Sequence, residues 1–98
     1  MTKTLNIDSF KTLLNQQLQI QFAPNVLMHA ELIEVKAMEF KDQPNRKSFS
    51  ILLRTAQKGE YYQQGTFKVT HTHLGEHMLF MVPIGPDDKG MCYEAMFN

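Results

Sequence analysis

The chain is short of cysteine and of net charge, and both shortages limit what it can be. It has one cysteine among its 98 residues, Cys92, so no disulfide can form within it. Lysine and arginine together number 10, as do aspartate and glutamate, so the formal net charge is zero. Because affinity for nucleic acid depends on clustered positive charge, we expect no nucleic-acid partner. A neutral chain also offers little repulsion against self-association, which permits a homo-oligomer.

Long apolar runs are also missing. The longest extends from Leu79 to Ile84, far shorter than the roughly 20 residues of a membrane-spanning helix. The N-terminal residues contain no apolar run of signal-peptide length. The sequence therefore predicts a cytoplasmic protein with no membrane partner.

What the sequence does have is a regular alternation of apolar and polar residues. Its composition, 43% hydrophobic and 20% charged, is ordinary for a globular protein, and 98 residues leave room for one domain, residues 1–98. Ile7, Phe10 and Leu13 fall at helical spacing and predict a short helix over about residues 8–16, capped by Asn6 or Asp8. Period-two patterns then predict six strands, over about residues 17–22, 26–38, 48–55, 64–71, 77–84 and 91–97.

The connections between these predicted strands are short, which favours antiparallel neighbours, because parallel pairs need long crossovers. The predicted fold class is all-β: a small antiparallel β-barrel or two-sheet sandwich of about six strands with a short N-terminal helix. The long second strand supports a curved sheet, since its apolar residues change face at Leu32-Ile33. A strand with a period of two does this only through a bulge or by passing between sheets.

The stretch from Gln64 to Ile84 has the clearest pattern and predicts two antiparallel strands around a short loop. Its return strand, residues 77–84, is apolar on both faces, which favours a central or covered strand. Gly65 and Gly75 are expected to set the turns, and His71 to anchor the hairpin. Core residues are expected from both strands: Phe67, Val69, Phe80 and Val82.

Three of the four histidines lie beside that loop, with the spacing His71-x-His73-x3-His77. Neutral histidine binds zinc, and three ligands with a water form a catalytic zinc site. The alternative is a structural His71 at the edge of the core, with His73 and His77 as polar loop residues. Zinc motifs are usually richer in ligands than this one, so we predict no metal and no other cofactor.

Other polar and reactive residues have ordinary interpretations. Cys92 paired with a histidine is a possible nucleophile, but a strand cysteine is usually buried filler. Asp87-Asp88 lies in a segment rich in turn residues, which favours a turn over a cation site.

Two tyrosines precede the fourth predicted strand. Exposed tyrosine is enriched at protein interfaces, so Tyr61, Tyr62 and Gln63 are candidate partner-binding residues. The polar loop over residues 39–47 is a second candidate contact region.

Several short motifs occur in one order along the chain. The most specific are QGTF at residues 64–67, His71 with Leu74-Gly75, FMVPIG at residues 80–85 and YEAMFN at residues 93–98. With these motifs the chain, from Phe10 to Asn98, resembles a family of small uncharacterised bacterial proteins, a domain of unknown function. The resemblance implies no established activity, and it implies genes near those of phage tail-collar-like proteins. Five motif positions are assigned structural roles: Gly65, His71, Gly75, Glu94 and Asn98. His73 and His77 lie outside the family pattern.

Because no catalytic constellation stands out, the sequence favours a protein that is not an enzyme. We expect a protein-interaction module with a protein partner, belonging to a phage-tail-like or fibre-forming assembly. The alternative is a small-ligand or metal-binding β-barrel that uses His71, His73 and His77.

Overall fold

The alternating segments of the sequence fold as six β-strands after one short helix. The structure, a computed structural model, describes residues 6–38 and 48–97. In chain order the elements are α1 (Ile7–Lys11), β1 (Gln17–Ala23), β2 (Val26–Met38), β3 (Ser48–Thr55), β4 (Gly65–His71), β5 (Gly75–Pro86) and β6 (Met91–Phe97). Within the described residues, no helix has the length and apolar character needed to cross a membrane.

The strands form a closed antiparallel barrel in the order β1-β2-β3-β6-β5-β4. Pairing of β1 with β4, with Ile20 opposite Val69, closes it. The predicted all-β class with a short N-terminal helix is confirmed, and of the two predicted architectures the barrel is correct. Each of the six strands has a neighbour on both sides, although the pairing is staggered: β5 pairs with β4 over Gly75–Met81 and with β6 over Met81–Pro86.

The interior of the barrel is filled by side chains from all six strands. The fully buried ones are Leu18, Ile20, Leu32, Ile51, Leu53, Val69, Met81 and Tyr93. At one end, the ring of Phe22 lies 4.6 Å from that of Tyr62 and 5.1 Å from that of Tyr93. At the other, Phe10 of α1 packs against Phe49 and Phe97. Small barrels are stabilised by such packing, which leaves no room for a large ligand in the region these side chains occupy.

The predicted change of face in β2 is a bulge. Leu32 lies opposite Leu53, but Glu34 lies opposite Leu52, so Ile33 is an extra residue on its strand. An extra residue reverses the alternation and bends the strand. Val35 then lies opposite the buried Ile51. The bulge lets one long strand curve around the barrel with an inward apolar face on both sides of the bend.

The helix is shorter than predicted. It begins after Asn6, whose side chain accepts the Ser9 backbone N–H at 2.9 Å, and it ends at Lys11 rather than near Gln16. The chain then turns, and Asn15 adopts a left-handed φ of 71°. Its backbone N–H donates to the carbonyl of Leu32 at 2.7 Å. The spacing of apolar residues continues past Lys11, but there the backbone changes to tighter turns, in which Leu13 donates its N–H to the carbonyl of Phe10 at 2.9 Å.

The connection between β5 and β6 is organised by Asp87. Its Oδ1 accepts the backbone N–H groups of Lys89 at 2.8 Å and Gly90 at 2.9 Å. Its Oδ2 lies 2.8 Å from Nη1 of Arg54, whose Nη2 lies 3.3 Å from Oε1 of Glu31. The turn predicted at Asp87-Asp88 is therefore present, with Arg54 joining it to β2.

Replacing Asp87 by asparagine is expected to remove stability at neutral pH but not in strong acid. The hydrogen bond from Arg54 and those from the backbone lower the pKa of Asp87 from 3.8 to about 2. Because the folded pKa is the lower one, the stabilisation is complete above the unfolded pKa and is lost as the pH falls toward about 2. The melting temperatures of wild type and Asp87→Asn should therefore differ at pH 7 and converge near pH 2. Asp88→Asn is the control for loss of a charge. Equal gaps at both pH values would contradict the assignment.

Candidate interaction surface

One side of the barrel carries large apolar side chains that face solvent. Along β5, Leu79 and Met81 are buried, while Met78 and Phe80, which alternate with them, are 64% and 54% exposed. Of the predicted alternatives, a central or a covered strand, β5 is central, between β4 and β6, but its outward face is not covered. Phe80 does not lie in the core, and Val82 is only half-buried. A strand in a single small barrel packs one face inward and leaves the other outside.

The neighbouring strand β6 extends this surface. Met81 lies opposite Ala95 in the last pair of the β5–β6 register, and continuing that register by one residue brings Phe80 beside Met96 on the outside of the barrel. Met96 is 55% exposed. The apolar surface therefore crosses from β5 to β6.

An irregularity in β5 adds one more apolar side chain. Pro83 lies opposite Tyr93 and Gly85 opposite Cys92, so Ile84 is the extra residue of a bulge. Ile84 is 51% exposed. We call the four exposed residues the apolar face: Met78, Phe80, Ile84 and Met96.

Charges of both signs border the apolar face. Lys68 of β4 lies opposite Met78, and Glu94 of β6 lies opposite Val82. The Nζ atom of Lys68 is 4.0 Å from Oε1 of Glu76, a contact between exposed groups that contributes little stability. The border therefore offers one cation, Lys68, and two anions, Glu76 beside it and Glu94 on the other side of β5.

The far side of the barrel is mostly polar, with the exposed Leu27 of β2, opposite Gln21, as an exception. By strand order β1 lies opposite β6, and the side chains that alternate with its buried ones are three glutamines, Gln17, Gln19 and Gln21, and the terminal Ala23. Gln19 lies opposite His29 of β2 and Thr70 of β4. A shallow groove of about 360 Å³ follows these residues. The outer surface is thus polar at β1 and apolar at β5 and β6.

The three predicted partner-binding residues differ in their surroundings. Tyr61 is 59% exposed and Gln63 is also exposed. Tyr62 is half-buried, stacks on Phe22, and donates its backbone N–H to the hydroxyl of Tyr93 at 2.9 Å. Tyr61 and Gln63 are therefore accessible to a partner, whereas Tyr62 packs against the end of the core. The loop over residues 39–47, also predicted as a contact region, lies outside the described residues.

A buried polar network holds this segment on the barrel. The hydroxyl of Tyr93 donates to Oε1 of Gln57 at 2.8 Å, and the hydroxyl of Thr55 donates to the same oxygen at 2.9 Å. Burial raises the pKa of Tyr93, which keeps its hydroxyl protonated as a donor. The segment that leads to Tyr61 is thus fixed by hydrogen bonds as well as by packing.

The motif positions given structural roles lie mostly in β4 and its loop. Gly75 has a φ of +82° where the chain turns into β5, a conformation that favours glycine. Gly65 begins β4, opposite Met81, rather than lying in a turn. Glu94 is half-buried among the outward residues of β6. Asn98 lies outside the described residues.

The structure does not bring His71, His73 and His77 together as a three-ligand group. Among the described residues, no three histidine, cysteine, aspartate or glutamate side chains are placed to hold an ion. Nδ1 of His71 accepts the backbone N–H of His73 at 3.0 Å, and Nε2 lies 3.1 Å from Oε1 of Gln16. Nε2 of His77 lies 2.7 Å from the carbonyl oxygen of Leu74. A nitrogen that donates to a carbonyl is protonated and cannot bind a metal.

His71 instead joins the hairpin to the segment after α1, through its contact with Gln16. Burial and the neighbouring His73 lower its pKa, which favours the neutral ring that this arrangement uses. The spacing failed as a metal predictor because β4 ends at His71, so His73 lies in the loop rather than on the same strand face.

Cys92 is buried on β6, 7% exposed, with its Sγ 3.8 Å from Oδ2 of Asp87. Burial and then the charge of Asp87 raise the pKa of the thiol. A raised pKa leaves less of the reactive thiolate at neutral pH. These surroundings favour the interpretation of Cys92 as a packing residue.

Comparisons with known proteins give one match. A family model described as a domain of unknown function (DUF6916) matches residues 5–97. No curated protein and no solved structure matches the chain.

Proposed function

Because the chain belongs to this family of unknown function, we propose from its surface that it is a non-enzymatic protein-interaction module. The observation that carries the proposal is the apolar face, with four large side chains between 51% and 64% exposed on two adjacent strands. Single exposed apolar residues are common on soluble proteins and need no explanation. A contiguous group is typical of a surface that another molecule covers.

The filled interior of the barrel also favours a protein-interaction module rather than a barrel that binds a small ligand inside it. Leu32, Met81 and Tyr93 are fully buried within the barrel, where a ligand would otherwise bind. The histidines considered for the ligand hypothesis have local structural contacts instead.

The closed barrel limits how a partner binds. Closure of the sheet leaves an extended peptide only the staggered strand ends to pair with, rather than a full strand edge. The partner therefore contacts side chains, with the apolar face at the centre and Lys68 and Glu94 at the border. A central apolar area with a polar border is the usual arrangement of protein interfaces.

The proposed partner is a protein of a phage-tail-like or fibre-forming assembly, to which this chain is an accessory. The family resemblance motivates that choice, and a small rigid barrel with one apolar face suits a subunit docked on a larger structure. Tyr61 and Gln63 provide a second accessible contact region.

A single charge in the apolar face is expected to abolish partner binding. In pull-downs from the native host, the wild-type chain should retain a stoichiometric partner protein, and the Phe80→Lys variant should lose it. A lysine that is buried in the interface without an opposite charge costs several kcal/mol, which lowers the affinity by about a hundredfold or more. Leu27→Lys is the matched control, since Leu27 of β2 is also an exposed apolar residue, at 61%, but lies outside the apolar face. Retention of the same partner by Phe80→Lys would contradict the proposal.

A further inference from the structure

We propose that the apolar face is covered by the apolar face of a second copy of this chain, in a dimer with twofold symmetry about Phe80. This inference rests on the proposed function and narrows it: the protein that covers the apolar face is a second copy, so the assembly partner binds elsewhere on the dimer. The dimer is the unit that would then present Tyr61 and Gln63 to a larger assembly.

The distribution of exposed apolar residues favours a contact between the apolar faces of two copies. Outside the apolar face, the large exposed apolar residues of the described chain lie on separate elements: Leu14 after α1, Leu27 on β2 and Tyr61 before β4. A head-to-tail contact needs two different complementary surfaces. In this chain, a head-to-tail contact would pack the apolar face against the glutamine side chains of β1 and bury their amide groups without hydrogen-bond partners. A twofold contact needs only one apolar surface, which is what the described residues provide.

The charges at the border fit the same symmetry. Counted from Phe80, Lys68 is one strand to one side and two residues toward one end of β5, because it lies opposite Met78. Glu94 is one strand to the other side and two residues toward the other end, because it lies opposite Val82. The two are therefore placed symmetrically about Phe80.

Consider a twofold axis that lies in the plane of the interface and passes through Phe80, perpendicular to the line from Lys68 to Glu94. Rotation about this axis places Lys68 of one copy over Glu94 of the other. Lys68 of one copy then meets Glu94 of the other, and the reverse contact forms as well. The Lys68 side chain is 40% exposed and makes a long 4.0 Å contact with Glu76, so it is accessible to such a partner. The formal net charge of zero adds no overall repulsion between copies.

The size of the surface suits a weak, reversible dimer. Large side chains have roughly 200 Å² of surface each, so four that are about half exposed provide about 400 Å² of apolar area. With its polar border this approaches the roughly 800 Å² per partner of a standard interface. We therefore expect dissociation on dilution within the micromolar range.

Molar mass measured by sedimentation or light scattering over a dilution series tests the dimer. Wild type should reach twice the mass of the chain at high concentration, and Phe80→Lys should raise the dissociation constant by about 30-fold or more, as loss of a central contact does. Leu27→Lys should dimerise like wild type. Thermal melting followed by circular dichroism establishes that each variant is folded. If Phe80→Lys is unfolded, Phe80→Ser replaces it in the dilution series.

A charge exchange tests the symmetry. Lys68→Glu and Glu94→Lys should each weaken the dimer by about tenfold, because each places like charges in contact twice, and the double variant should return to within about threefold of wild type. A dimer that the double exchange does not restore overturns the proposed twofold axis.

The outcomes also separate this inference from the proposed function. A wild-type chain that stays monomeric across the series, or forms only larger closed rings, overturns the dimer. If Phe80→Lys nevertheless loses the captured partner, the proposed function stands and a different protein covers the apolar face.

Discussion

Replacing Gly90 by alanine is expected to cost the barrel a large part of its stability. A Cβ atom on Gly90 would overlap the backbone carbonyl oxygen of Thr55 and lie 2.9 Å from its carbonyl carbon and 3.3 Å from Cα of Ala56. These are backbone atoms at the end of β3, where Thr55 pairs with Met91. Because neither strand can move without disturbing the pairing, the cost should reach or exceed the roughly 1–3 kcal/mol of overpacked sites.

Chemical denaturation and thermal melting measure this effect. At about 4–8 °C per kcal/mol for a domain of this size, the melting temperature should fall by more than about 10 °C. Gly59→Ala is the control, since an added Cβ there has nothing within 4 Å and meets only the strain of a φ of +73°, worth about 1–2 kcal/mol. Equal losses for the two variants would show that the close approach of Gly90 to β3 is unimportant.

The closeness at Gly90 illustrates what sequence alone cannot provide. Residues 85–90 predict a turn from composition, and the turn is present, with Asp87 at its centre. Which glycine lies against another strand depends on how β6 pairs with β3, and that pairing joins segments about 40 residues apart in the sequence, where local patterns carry no information.

Local patterns did suffice for the barrel itself. Alternation predicted the inward residues of β1, Leu18, Ile20 and Phe22, all of which are buried. The change of face at Leu32-Ile33 predicted the bend, because a period of two cannot reverse without an extra residue. Closure into a barrel rather than a sandwich was not decided by these patterns, since both architectures use the same alternation.

The candidate site is where the sequence was most misleading. Met78, Phe80 and Val82 alternate with Leu79 and Met81, so the sequence did show that β5 is apolar on both faces. Whether the outward face is covered depends on what packs on it. The fold uses only the inward face of β5, and the surplus of apolar residues on the other face is the observation on which the proposed interface rests.

Replacing Phe10 by alanine should be comparably damaging, because Phe10 closes one end of the barrel. It is fully buried, and its ring lies 5.8 Å from that of Phe49 and 5.2 Å from that of Phe97. Replacing a buried phenylalanine by alanine lowers the free energy of unfolding by about 3–5 kcal/mol, and the loss is greatest where the surrounding side chains cannot move in to fill the cavity. The rings of Phe49 and Phe97 stack on each other at 4.6 Å, so they are held in place and cannot readily fill the space.

Urea denaturation of Phe10→Ala, with Phe10→Leu and Leu14→Ala as companions, tests this role. Phe10→Leu keeps most of the apolar volume and should cost less than half as much, while Leu14, 42% exposed, should change the free energy of unfolding by about 0.5–1 kcal/mol at most. Because Phe10 contacts the first residues of β3 and the last of β6, its loss also uncovers Phe97. A Phe10→Ala variant as stable as Leu14→Ala would mean that the barrel holds without α1, and that the helix is an appendage rather than its closure.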